Sequence, residues 1–308
     1  MSDAADGDTR VESSSEATPR LDPRRNPFRP DLAAESLYGK VSAPRYAEGF
    51  PAQVMRASVP LRSRPTPTFG FETEALFGER VTVYDERDGW AWVQLDRDKY
   101  VGYVPSEALS PEIEEPTHKV RSLGTFVYPV PDIKSPPLMH LSLNAEMSVV
   151  EGDDRFVMLK GGGFVVSRHV GEIGRIEPDF VEIAERFIGT PYLWGGRTRL
   201  GIDCSGLVQM SLAAAGIFAP RDTDMQQAEV GTLVEIPDVL EGMQRGDLIY
   251  WKGHVGIMAD SVTLVHANAH HMQVAAETLP EAIERIAKLG AEIAAVKRLP
   301  GLSAKSGA

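Results

Sequence analysis

The 308-residue chain has a single cysteine, Cys204. An internal disulfide framework is therefore excluded, and a reducing compartment fits. No apolar run approaches the ~18 residues of a membrane-spanning helix, and the first thirty residues contain almost no large apolar side chain. They lack the apolar core of a secretory signal. Positive charge is also scarce: 32 Lys and Arg stand against 44 Asp and Glu, a net charge of −12. That balance argues against nucleic acid, whose phosphates need concentrated Lys and Arg, and reads as a solubility feature. The expectation is a soluble protein of two or three domains in the cytoplasm, with neither nucleic acid nor a membrane as partner.

Residues 1–30 are rich in Ser, Asp, Glu, Arg and Pro and read as a disordered tail. Asp31 to Gly39 read as one short capped helix. From about 53 to 110, short alternating segments with Trp90, Trp92 and Tyr100 read as a small antiparallel barrel. The same order of segments returns from about 119 to 174: "EALFGERVTV" is answered by "LSLNAEMSVV" and "YVGYVPSEAL" by "GGGFVVSRHV". This is an internal repeat of two barrel modules. The expected units are 31–112 and 117–175, joined by a short linker. Residues 177–300 then change character, and 301–308 form a C-terminal tail. "PDFVEIAERFIG" is helical, with Pro178 in its first turn and Ile188 on its apolar face. Helices followed by alternating strands indicate an α+β domain.

Cys204 lies in "GIDCSGLVQMSLAAAG". Asp203 suits a helix N-cap and Gly216 the terminator, which puts Cys204 at the first helical position. Unpaired N–H groups there favour a thiolate. A nucleophilic cysteine needs a base. Of seven histidines, His254 in "GHVGIMAD" and His266 in "VTLVHANA" fall on consecutive strands. A symmetric hairpin turning near Asp260 pairs them directly, and directly paired residues share a face. The same three side chains could also hold zinc with one open position, and residues alone leave that reading beside the nucleophilic one.

The blocks "PYLWGGRTRLGIDCSGLVQ", "RDTDMQ", "GDLIYWKGHVGIM" and "LVHANA" together resemble the NlpC/P60 cysteine peptidases. The resemblance implies a papain-like domain preceded by two bacterial SH3-like barrels, as in the γ-D-glutamyl-L-diamino acid endopeptidases. It implies Cys204 as nucleophile, His254 as base, His266 as the residue orienting that base, and Tyr192 beside the oxyanion. For the free amine of a murein tripeptide or tetrapeptide it implies Asp222, with Glu79 and Tyr100 from the first barrel. Ser205 and Arg221 are expected to meet substrate carboxylates. No cofactor or metal is implied. The implied reaction releases L-Ala-D-Glu from freed wall peptides in peptidoglycan recycling. A silent domain that only binds wall fragments, and a transferase using the same acyl-enzyme, remain as alternatives.

Overall fold

The computed structural model describes residues 21–235 and 241–299. The expected tails 1–20 and 301–308 lie outside the described residues. Residues 21–30, read from composition as disordered, are ordered: residues 22–26 form a turn, and Phe28–Arg29 pairs with Leu32–Ala34. The expected helix at 31–39 is instead this strand Leu32–Ala34 followed by a single 3-10 turn, Glu35–Leu37, with Ala34 rather than Asp31 at its head. Leu32, Ala33 and Ala34 are all buried, and the strand is the central one of three, between Phe28–Arg29 and Tyr46–Ala47, so its packing and pairing outweigh the helix propensity of the alanines.

The first barrel is a seven-stranded antiparallel sheet. Its order is Leu109–Ser110, Phe50–Val54, Arg80–Arg87, Trp90–Leu95, Val101–Pro105, Ser58–Arg62 and Phe71–Leu76. Alternation explains its inside: Val81, Val83, Val93, Leu95, Val59 and Leu61 fill the core. The second barrel has a three-stranded sheet centred on His118–Val120 and a five-stranded sheet containing Gly124–Tyr128 and Phe156–Leu159. The two barrels meet at equivalent corners, "LFGE" and "LNAE". Glu146 N–H donates to the Phe77 carbonyl at 3.0 Å. At Gly78, with φ +82°, an added Cβ would sit 2.1 Å from the Glu146 carbonyl oxygen. Both a left-handed backbone and close approach demand glycine here.

Among its described residues the third unit has four helices: α1 (Phe180–Arg186), α2 (Cys204–Ala214), α3 (Thr223–Glu229) and α4 (Leu279–Ala287). A six-stranded sheet runs in the order Thr232–Leu233, Ile293–Arg298, Leu248–Trp251, His254–Met258, Thr263–Asn268, Gln273–Thr278. The cap of α1 is Asp179, whose carboxylate accepts from Val181 and Glu182. Pro178 therefore precedes the helix, and Ile188, beyond its end, is 49% exposed. Nearly every residue of α2 is buried, as a helix apolar all round requires. It is sandwiched between α1 and the sheet, in one core with Val208, Leu212, Val255 and Val265. Leu76 and Leu143, the same position in each barrel's corner, reach into that core. At roughly 1.5–3 kcal/mol per buried leucine, they hold both barrels to the domain that carries the cysteine. The whole is a mixed α+β chain with β-rich units first. No described helix is long and apolar enough to cross a membrane.

Candidate active site

Asp203 caps α2 through Oδ1, accepting from the Gly206 N–H at 2.7 Å, and α2 ends before Gly216 at φ +75°. Both features follow the sequence reading. Oδ2 of Asp203 also receives the Gly195 N–H at 2.8 Å and the Arg221 guanidinium at 2.7 Å. The glycines of the motif serve close approach: a Cβ on Gly206 would lie 2.4 Å from the Gly196 carbonyl, and one on Gly196 2.4 Å from that of Gly201. The loop bearing Tyr192 is thereby pressed against the head of α2.

Cys204 is 7% exposed. Its sulfur takes the N–H of Val255, the residue after His254, and lies 3.9 Å from the Thr223 hydroxyl. Burial, reinforced by the Asp203 carboxylate, pushes the thiol up to about 11, against those two donors. A standing thiolate at the helix head is thus corrected to a thiol, because desolvation outweighs the favourable field of the helix start.

His254 follows a turn formed by Lys252 and Gly253, the latter at φ +74°, and pairs with Trp251. The next hairpin pairs Ile257 with Val265 and Met258 with Leu264. This register is two residues away from the expected one, so the histidines are diagonal rather than opposite. A shift of two preserves the face, and the rings meet: His254 Nε2 lies 2.8 Å from His266 Nδ1. Gly256 stands opposite His266, and a Cβ there would come within 2.7 Å of the Leu264 side chain and 3.2 Å of His266 Cβ.

Beyond His266 the line continues to two residues that no motif marked. His266 Nε2 lies 2.6 Å from Glu277 Oε1, and Glu277 pairs with Arg285. Burial raises Glu277, but His266 and Arg285 outweigh it and bring the carboxyl down to about 2. It is therefore an acceptor, which assigns the rest. His266 carries its proton on Nε2, its bare Nδ1 accepts from His254 Nε2–H, and His254 keeps a free lone pair on Nδ1. Burial, then the neighbouring His266 and Arg285, pulls His254 down to about 3. At neutral pH the pair is thiol and neutral imidazole. Both nitrogens of His266 are engaged, so a metal held jointly with Cys204 and His254 would have to break the line. Nothing in the sequence marks Glu277 or Arg285.

A cleft of about 350 Å³ opens on Cys204. Tyr192 lines it, as do Ser205, Tyr100, Arg221 and Asp222 among the expected residues, with Arg24 and Glu72 added. Burial raises the Tyr192 hydroxyl, helped by Cys204 and Asp203. Tyr100 donates to Asp222 Oδ2 at 3.1 Å. Burial raises the Asp222 carboxyl, against the Arg221 and Arg24 charges. Glu79 is not in the cleft. It is 3% exposed, held by Arg197 at 2.9 Å and Arg97 at 2.9 Å. The first barrel's carboxylate in the cleft is Glu72, seven residues earlier; short β segments offer no fixed spacing by which to tell the two apart. Arg221, also expected at substrate, is 1% exposed. Its donors are spent on Thr73 at 2.8 Å, Ser205 at 2.7 Å and Asp203 at 2.7 Å. It lines the cleft with these donors engaged, and it ties the first barrel to the head of α2.

The model of the bacterial dipeptidyl-peptidase SH3 domain matches residues 61–109, and that of the NlpC/P60 family matches residues 189–287. The chain carries an NlpC/P60 domain behind a bacterial SH3 domain. The NlpC/P60 match spans the Tyr192 loop, the α2 cysteine and both histidine strands. Dipeptidyl-peptidase 6 of Lysinibacillus sphaericus is 28% identical over 232 residues, 68% of this chain and 84% of that protein. The γ-D-glutamyl-L-lysine dipeptidyl-peptidase of Bacillus subtilis strain 168 is 27% identical over 235 residues, 69% of this chain and 77% of that one. In fold, the chain is similar to an NlpC/P60 family protein from Bacillus cereus, with TM-score 0.66 and 23% identity over 80% of this chain and 99% of that chain.

Proposed function

We propose that this NlpC/P60 protein is a cysteine endopeptidase that releases L-Ala-D-Glu from freed wall peptides bearing an unblocked N-terminus. The observation that carries it is the oriented line from Glu277 through His266 to His254, which immediately precedes Val255, whose N–H meets the Cys204 sulfur. The neutral pair needs no standing thiolate. His254 Nδ1 takes the thiol proton as Cys204 attacks the γ-D-glutamyl carbonyl. The imidazolium is stabilised through His266 by the Glu277 carboxylate. Tyr192 and the N–H groups at the head of α2 steady the oxyanion. His254 then gives its proton to the leaving amine, and water attacks the thioester and frees the dipeptide.

The acidic end of the cleft supports a substrate with a free ammonium. Glu72 and Asp222 supply the charge and Tyr100 steadies Asp222. The relatives named as dipeptidyl-peptidases point to the same bond. Recycling of short fragments in the cytoplasm is the setting proposed. Tripeptide carrying either meso-diaminopimelate or lysine should be cut by the wild type and not by Cys204→Ala or His254→Ala. Release measured by chromatography at wild-type rate in either variant overturns the mechanism. Activity on polymeric peptidoglycan alone overturns the substrate.

A further inference from the structure

Arg24 belongs to a segment whose composition suggests no structure, yet its guanidinium reaches into the cleft. Nη1 lies 2.8 Å from Asp222 Oδ2 and 3.1 Å from Asp224. Nη2 lies 2.7 Å from Asp224 and 2.7 Å from Asp22. Nε donates to Asp22 at 3.1 Å. Three carboxylates thus share one cation, and one of the three is the carboxylate assigned above to the substrate amine. The placement is built rather than incidental. The Arg24 carbonyl accepts from Val101 N–H at 2.8 Å and the Arg25 carbonyl from Gln94 Nε2 at 2.8 Å, both on the first barrel. On the other side Arg25 pairs with Glu229 at the end of α3. The turn is a strap from barrel to peptidase domain.

An ammonium arriving at Asp222 meets a guanidinium already on the same carboxylate. Like charges so close repel, most strongly in a partly enclosed site. We propose that Arg24 is a specificity-determining residue: an internal competitor for the substrate's ammonium, which weakens binding of amine-terminated peptides and so sets how far the enzyme distinguishes them from blocked ones. The inference rests on the reading of Asp222 given above.

The test uses the full-length chain and two peptides, the free-amine tripeptide and its N-acetyl form. Arg24→Gln removes the charge and keeps most of the stem. Its KM for the free-amine peptide should fall about two- to fivefold, the scale of one partly exposed ion pair, with that for the acetyl peptide unchanged. Arg24→Lys, which keeps a cation, should stay near wild type. In a Cys204→Ala background, calorimetric affinity for L-Ala-D-Glu should rise by the same factor in Arg24→Gln. An unchanged or raised KM, or equal changes for both peptides, overturns the competitor role. Asp222→Asn separates this failure from that of the underlying reading. If Asp222→Asn abolishes the preference for the free amine while Arg24→Gln leaves KM unaltered, only the inference falls. If Asp222→Asn keeps the preference, both fall.

Discussion

The two barrels place a glutamate at the same corner, Glu79 in "LFGE" and Glu146 in "LNAE", and the two behave oppositely. Burial raises both. Around Glu79 the arginines 197 and 97 outweigh burial and hold its carboxyl below the usual range. Glu146 has Arg97 at 2.7 Å, with Glu79 repelling it, and stays raised. Two like corners thus serve as two different parts. Around Glu79 the first barrel is bolted electrostatically to the peptidase domain through Arg197, and it also sends Tyr100 and Glu72 to the cleft. The second barrel meets the same domain through Leu143, the Arg121–Glu177 pair and the Asn144 amide, which donates to the Met210 carbonyl at 2.9 Å. It sends no side chain to the cleft lining. Which arginines surround the corner decides its role.

The comparison breaks most sharply at Glu79. Glu79→Gln leaves Arg197, 0% exposed, without its charge partner. It should cost about 3–5 kcal/mol in denaturant unfolding; a loss no larger than that of Glu146→Gln removes the distinction. Tyr100→Phe takes a hydrogen bond from Asp222 and should raise KM for the free-amine tripeptide roughly tenfold, the equivalent of about 1.4 kcal/mol. Asn144→Ala should cost about 1 kcal/mol of stability while kcat and KM stay at wild-type values. A change in KM there would give the second barrel a part in binding.

The smallest effect is expected from Glu146→Gln, below about 1 kcal/mol because Arg97 retains Glu79. Acid titration of stability distinguishes the two glutamates by sign. Glu79, with its folded value depressed, contributes fully above the unfolded value of 4.5, and that contribution is lost as pH falls through the folded value. Glu146, with its folded value raised, gains a proton first in the folded state, so its protonation adds stability as pH falls towards 4.5. Glu79→Gln should therefore flatten the acid loss, and Glu146→Gln should remove the small gain that precedes it.

What was legible in the sequence follows the same division between local and distant causes. The Asp203 cap, the Gly216 stop and the barrel alternation are set within a few residues and were readable. The shared face of His254 and His266 was readable because parity survives a register shift of two, although the pairing itself was not. Glu277 and Arg285 were illegible because an ordinary strand end and helix carry them, and only folding brings them behind His266. Glu72 was missed for Glu79 because each is a glutamate near a strand end, and what distinguishes them is the company of Arg197. Arg24 was hidden by composition: the order of residues 22–26 comes from partners on Val101, Gln94 and α3, all far away in the chain.

The barrel seam at Gly78 carries a further consequence. Main chain meets main chain there, with no room for a methyl group between them. The segment joining the barrels is itself tied down, with Gln53 bonded to the Glu114 backbone and Arg80 paired with Glu115. A borrowed second unit would seat itself only if its own corner carbonyl found the gap that residue 78 leaves. At that seam the fit turns on a single hydrogen atom.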